Sequence, residues 1–236
     1  MDKTIILYHH LGLGDHIACH GIVRNYCHSF KNVIIFCKPH NYKSVSFMFK
    51  DITNLKIIKA DDQEAVNFII NNPQYIFKPV GFSNLDRHSS EPLDRQFYRL
   101  ASVNYEEKYN SFDKIIRHPE AENNLYNFFK CEKNNYAFYH EDTDRSMGIS
   151  FKTDLQKIKA DKSLTDCIFD YCKIIENAKE IHVIDSSFFW LIDSMNYQND
   201  NQKLYLHRYA RSKILSKAEI PSPRKNWIIL KSNENL

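Results

Sequence analysis

Three stretches of the chain bring together side chains whose type and spacing suit chemistry. In the first, HHLGLGDH, the polar residues His9, His10, Asp15 and His16 surround Gly12 and Gly14. Glycines so spaced allow a tight turn and a close backbone approach that side chains would obstruct. A helix after this turn puts Asp15 and His16 at its N-terminus, beyond the carboxyl end of a strand, where open α/β sheets bind ligands. The same residues also fit a structural turn with Asp15 as N-cap. In the second stretch, HEDTDR, residues His140 to Arg145 form a polar turn holding two carboxylates, Asp142 and Asp144. In the third, Asp185-Ser186-Ser187 opens a helix. Its N–H groups, hydroxyls and positive dipole end suit a phosphate or a sugar hydroxyl; plain N-capping by Asp185 or Ser186 is the alternative. His16 and His20 share a helical spacing able to hold a metal, but no matched Glu or Cys set lies nearby, so capping and solvation also account for them.

Each stretch follows a buried strand. Ile5, Ile6 and Leu7 form a short apolar run, as a central parallel strand would. Beyond the glycines, Ala18, Ile22, Tyr26 and Phe30 recur every fourth residue, which predicts a helix. Asn32–Lys38 reads as the next strand, Tyr42–Phe49 as a short helix and Leu55–Ala60 as a third strand. Asp61 or Asp62 then caps a helix carrying Ala65, Val66, Ile69 and Ile70. Tyr75–Val80 is a fourth strand whose Pro79 belongs near a sheet margin. This alternation indicates a parallel sheet covered by helices. Ser83–Glu91 reads as a loop, and Leu93–Val103 and Tyr105–Phe112 as aromatic-rich helices. His118–Asn135 is charged and Asn-rich around Leu125, Phe128 and Phe129, and a domain boundary is expected near residue 132. A second alternation follows: strands at Tyr136–His140 and Glu180–Ile184, one or two more within Ser146–Ala160, and later ones at Lys203–His207 and Trp227–Leu230. Between them, a helix starting near Ser163 and Asp166 carries Cys167, Ile168, Tyr171, Ile174 and Ile175, and a further helix carries Phe188, Leu191, Ile192 and Met195. The expected architecture is thus α/β, with two small sheets in residues 1–132 and 133–236.

Composition narrows the function classes. With 43% apolar residues the chain can build a sizeable core, and five glycines with seven prolines argue against a turn-rich all-β fold. A net charge of +3 without a dense basic run does not favour a nucleic-acid partner, though a modest basic groove for an anion fits. The six cysteines include no CxxC pair, as reduced thiols would show. The first apolar run is too short for a signal peptide, and no segment nears the ~18 uninterrupted apolar residues of a membrane span. A soluble, cytoplasmic chain is expected. Gly12-Leu13-Gly14 lacks the third glycine of a dinucleotide fingerprint, and neither GxxxxGK[ST] nor GxSxG occurs.

The motifs together resemble a known family. LGLGDHIACHGIVR resembles the first strand, turn and helix of GT-B glycosyltransferases, especially the heptosyltransferase-like type with a GxGD turn. AKEIHVIDSSFFWLIDSM is similar to the donor-site strand and helix of that class and of GT-B fucosyltransferases. YAFYHEDTDR is similar to the opening of their nucleotide-sugar-binding domain, and DRQFYRLASVNYEEKYNSF to the interdomain segment of small bacterial and viral relatives. The resemblance implies two Rossmann-like domains facing each other across a cleft, the first for the acceptor and the second for the donor. It implies a nucleotide-sugar as co-substrate with no other cofactor, a glycan or other hydroxyl acceptor, inversion at the anomeric carbon and no metal. Asp15 would be the general base, with His16 sharing or tuning that role and His10 a weaker competitor on the acceptor side. Gly14 would let the backbone approach sugar or phosphate. Arg145 would face the diphosphate, Asp185, Ser186, Ser187 and Phe188 would line the donor site, and His140 would touch phosphate or sugar. Two alternatives stay open. Asp142 and Asp144 match the DxD pattern of metal-dependent sugar transferases, and the chain could be a non-catalytic nucleotide- or glycan-binding module of the same fold.

Overall fold

The computed structural model describes residues 3–211 and 222–231. Its first sheet is parallel, with β1 (Thr4–Tyr8), β2 (Asn32–Cys37), β3 (Leu55–Lys59) and β4 (Ile76–Pro79) in the order β3-β2-β1-β4. The apolar run at Ile5 therefore lies inside the sheet, and the strand holding Pro79 lies at its edge, where a missing N–H is tolerated. Because side chains alternate along strands, Ile6, Tyr8, Ile34 and Phe36 share one face. They pack there with Ala65, Phe68 and Ile69 of α3 (Asp62–Ile70). Asp61 and Glu64 close a capping box on that helix through bonds of 2.8 and 2.9 Å.

Helix α1 (Leu13–Ser29) is buried continuously from His16 to Arg24. It packs against α2 (Tyr42–Met48), α4 (Leu93–Ala101) and α5 (Glu107–Asn110). The approach to α5 depends on Gly21, because a Cβ there would lie 2.3 Å from the Glu107 carbonyl oxygen. Under this contact Lys108 and Asp94 form a buried ion pair at 2.7 Å, and the Tyr105 hydroxyl donates to the same carboxylate oxygen at 2.5 Å.

The chain divides into two compact units between Ile116 and Arg117, ahead of the boundary expected near residue 132. The reason is Arg117, whose guanidinium bonds both Glu122 of α6 (Pro119–Phe128) and Glu176 of α7 (Cys172–Asn177), the latter at 2.6 Å. That clamp joins α6 to the second unit. There β5 (Tyr136–His140), β6 (Gln156–Lys159), β7 (Glu180–Val183), β8 (Lys203–His207) and β9 (Trp227–Leu230) form a parallel sheet in the order β6-β5-β7-β8-β9. The helix expected from Ser163 starts later, as a 3-10 turn at Ile168–Tyr171 that runs into α7. Thr165 holds the preceding bend by accepting from Cys167 N (3.0 Å) and donating to Asp170 (2.5 Å), an alternative that competes with helix. Helix α8 (Ser187–Ser194) joins β7 to β8, and its buried Asp193 accepts from Arg224 N, Lys225 N and Trp227 Nε1 at 2.9–3.1 Å. Among the described residues no helix is long and apolar enough to cross a membrane, and all six cysteines are free thiols.

Candidate functional site

The turn after β1 holds the first group of expected site residues. Its helix begins one turn earlier than an Asp15 cap requires: Gly12 is the N-cap, without a side-chain cap bond, and Asp15 stands in the first turn with Gly14 before it. The Asp15 carboxylate folds back over Gly12, so that a Cβ at residue 12 would lie 2.6 Å from its Oδ2. Gly12 thus reserves the position of a half-buried carboxylate at the positive end of a long helix. His10 Nε2 accepts from the Phe82 backbone N–H at 3.0 Å, and its ring lies against Phe82 and Phe97, so this imidazole anchors the turn after β4.

His16, expected beside the acceptor, is instead fully buried with its ring edge-on to His9 at 4.6 Å. A side chain without surface has nothing to offer a substrate. Burial holds both rings neutral, His9 down at about 4 and His16 well below the ordinary value. The spacing of His16 with His20 is likewise internal, since His20 is buried and bonds its Nδ1 to the Ile17 carbonyl (2.7 Å). Among the described residues no three His, Cys, Asp or Glu side chains gather as a metal set.

The second unit brings more of the expected residues together, at the carboxyl edge of its sheet. His140 ends β5, and β7 beside it runs into Asp185 and Ser186 at the start of α8. Ser186 holds the N-cap position but makes no cap bond; its hydroxyl meets His140 Nδ1 at 3.1 Å. Phe188 packs on the His140 ring at 4.7 Å and on Phe138 at 5.4 Å, so it is as much core as lining. Burial, partly opposed by Asp142, lowers the His140 imidazole to about 4. Ser187 opens the helix half-buried beside them.

Arg145 lies on the turn after β5 and is committed to Asp142, with Nε and Nη2 at 2.7 and 2.6 Å from one carboxylate oxygen. Burial alone would raise the Asp142 carboxyl, but the guanidinium bonded to it brings it below the usual range.

Two cations that the motif reading passed over stand at the next strand. Arg208 and Arg211 follow β8, and each places Nη1 beside Asp185 Oδ2, at 3.3 and 3.4 Å. Arg211 also donates to the Asp185 carbonyl at 3.2 Å. Their turn is pinned by a buried chain in which His182 Nδ1 meets His207 Nε2 at 2.9 Å and His207 Nδ1 meets the Tyr209 hydroxyl at 3.0 Å. Phe151 and Tyr205 stack on His182, and burial lowers the two imidazoles to about 3 and about 4. The signal in the sequence was HRYAR directly after an apolar strand, the same placement that marked Asp185.

No protein-family model matches the chain, and no curated protein matches it. Among solved structures it is similar to the glycosyl transferase family 9 protein from Veillonella parvula DSM 2008, with a TM-score of 0.58 and 10% identity over 98% of this chain and 87% of that one. It is also similar to TibC, the bacterial iron-containing dodecameric glycosyltransferase of enterotoxigenic E. coli H10407, with a TM-score of 0.51 and 9% identity. That match covers 87% of this chain and 60% of TibC, so the chain spans less than two thirds of TibC's length. At such identities the likeness is one of fold, and with its two parallel sheets the chain has the GT-B, Rossmann-like α/β fold of these glycosyltransferases.

Proposed function

We propose that the chain transfers a sugar from a nucleotide-sugar donor to a hydroxyl acceptor, with inversion at the anomeric carbon and without a metal ion. The observation that carries this reading is the start of α8. Its N-cap hydroxyl makes no cap bond and meets His140 instead, while the preceding carboxylate stands beside two arginines. A helix start at the carboxyl edge of a parallel sheet, with cations beside it, suits a phosphate-bearing ligand. His140, Ser186 and Ser187 would supply its polar contacts, Phe188 backs the imidazole, and Arg145 adds a cation on the neighbouring turn.

Asp15 is assigned the base. As the acceptor oxygen bonds to the anomeric carbon, its proton passes to the Asp15 carboxylate. The bond from that carbon to the phosphate oxygen breaks, and its electron pair leaves with the nucleoside diphosphate. Attack from the face opposite the leaving group inverts the centre. The leaving charge is offset by guanidinium and helix dipole, the role a divalent ion takes elsewhere. Metal independence is supported by the engagement of Asp142, the first carboxylate of the DxD pattern, with Arg145.

Thermal unfolding of the full chain with ADP, GDP, UDP and CDP, in EDTA and in Mn²⁺, tests the donor assignment. A ligand at about 100 times its Kd stabilises the fold by about 2.7 kcal/mol, well within reach of the method. One nucleoside diphosphate should stabilise in EDTA while its nucleoside does not. Stabilisation confined to Mn²⁺ would favour the DxD alternative.

A further inference from the structure

Resting on the sugar-transfer reading above, we infer that His10 donates a hydrogen bond from Nδ1 to an oxygen of the acceptor other than the attacking one, so that the acceptor is a sugar or another polyol. The first ground is the tautomer of the ring. His10 Nε2 accepts from the Phe82 backbone N–H at 3.0 Å, so that nitrogen carries a lone pair and no proton. A neutral imidazole then bears its one proton on Nδ1. Among the described residues nothing accepts from that N–H, and His10 is half-buried rather than enclosed. With its lone pair occupied, the ring is a donor and not a second base.

The second ground is how that ring is held. After β4, Gly81 and Phe82 both take positive φ, 120° and 55°. Glycine adopts such angles freely, but a bulky aromatic residue rarely does. A Cβ on Gly81 would also lie 3.0 Å from His10 Cδ2 and 3.1 Å from its Nε2. The turn therefore admits the imidazole at contact distance and aims the Phe82 N–H at it. The Phe82 ring stacks on Tyr8 of β1 at 4.4 Å and lies tilted against His10 at 4.4 Å, while Phe97 meets His10 edge-on at 5.7 Å. These contacts fix the ring plane, and the hydrogen bond fixes the tautomer. Strained backbone persists where its surroundings over-determine it, and such positions cluster at ligand clamps. Anchoring the turn accounts for Nε2 alone. It leaves unexplained a donor held five residues before Asp15, at the carboxyl end of a parallel strand, where such folds bind ligands.

His10→Gln separates the two nitrogens, because the glutamine amide oxygen can accept from the Phe82 N–H while no donor remains at the place of Nδ1. The full chain and the variant are assayed in EDTA with the nucleotide sugar that the parent consumes, against methyl glycosides and against methanol, which has a single oxygen. Circular dichroism and nucleoside diphosphate affinity should stay parental. The preference for glycoside over methanol, as a ratio of kcat/KM, should fall roughly five- to tenfold, the share of one neutral hydrogen bond, with the change in KM rather than kcat. A second readout needs no variant: ¹⁵N NMR of the parent should show His10 with Nδ1 protonated and Nε2 bare, and the glycoside should shift that Nδ1. A parental preference in the folded variant, a loss confined to kcat, or a His10 protonated on Nε2 would overturn the inference while leaving the sugar-transfer reading intact. A parent that consumes no nucleotide sugar with either alcohol overturns that reading, and this inference with it.

Discussion

A side chain at residue 12 would collide with the Asp15 carboxylate, so two residues three apart determine where the assigned base can stand. Asp15→Asn preserves the size and one acceptor oxygen of the side chain, and the fold should persist. Turnover should fall by roughly 10²–10⁴-fold, the usual share of general-base catalysis, while nucleotide affinity stays at the parental value. Retained turnover in a folded variant would make Asp15 a structural residue of the first helical turn. Gly12→Ala probes the same carboxylate without touching its charge. The methyl group forces Asp15 aside, and a displacement near 1 Å should lower turnover by on the order of 10²-fold with little change in unfolding midpoint. Parental kinetics there would show that the carboxylate's position is not critical.

At the scale of elements, α1 is held from both sides, and the buried Asp94–Lys108 pair lies beneath its contact with α5. Lys108→Met leaves the Asp94 carboxylate buried without its cation, and urea unfolding should record a loss of about 3–5 kcal/mol. A loss under 1 kcal/mol would mean that Tyr105 alone satisfies that carboxylate. The strands and their order of appearance were legible because apolar runs and helical periods alternate locally, and Pro79 marked its edge strand correctly. The burial of His16 was not legible, since the sheet and two later helices cover α1, and helices separated by some eighty residues leave no local trace. The unit boundary was hidden for the same reason: it follows from Arg117 reaching Glu176. Of the residues gathered at the carboxyl edge of the second sheet, His140 with Ser186 and Asp185 with its helix could be placed there from strand ends alone. Arg208 and Arg211 could not be told from solvated cations until β8 was seen beside β7.

For the whole molecule, buried neutral imidazoles dictate a pH dependence. Burial lowers His9, His140 and His207 to about 4 and His20 and His182 to about 3, against 6.5 in an unfolded chain. The folded state therefore binds fewer protons than the unfolded state below pH 6.5. The stability these groups contribute is complete above that value and is lost as pH falls toward about 4, at up to ~1.4 kcal/mol per pH unit for each histidine. Urea midpoints should fall steeply from pH 6.5 to pH 5, and a flat profile would show these rings to be solvated. The central claim is sugar transfer, and proton NMR of the anomeric signals tests it most directly. The chain is incubated in EDTA with each of a panel of nucleotide sugars, with water or a simple glycoside as acceptor. One donor should be consumed, with release of its nucleoside diphosphate and a first-formed product of inverted anomeric configuration, and Asp15→Asn should slow both by roughly 10²–10⁴-fold. A donor that binds but is never consumed, or one whose product retains configuration, would contradict the assignment.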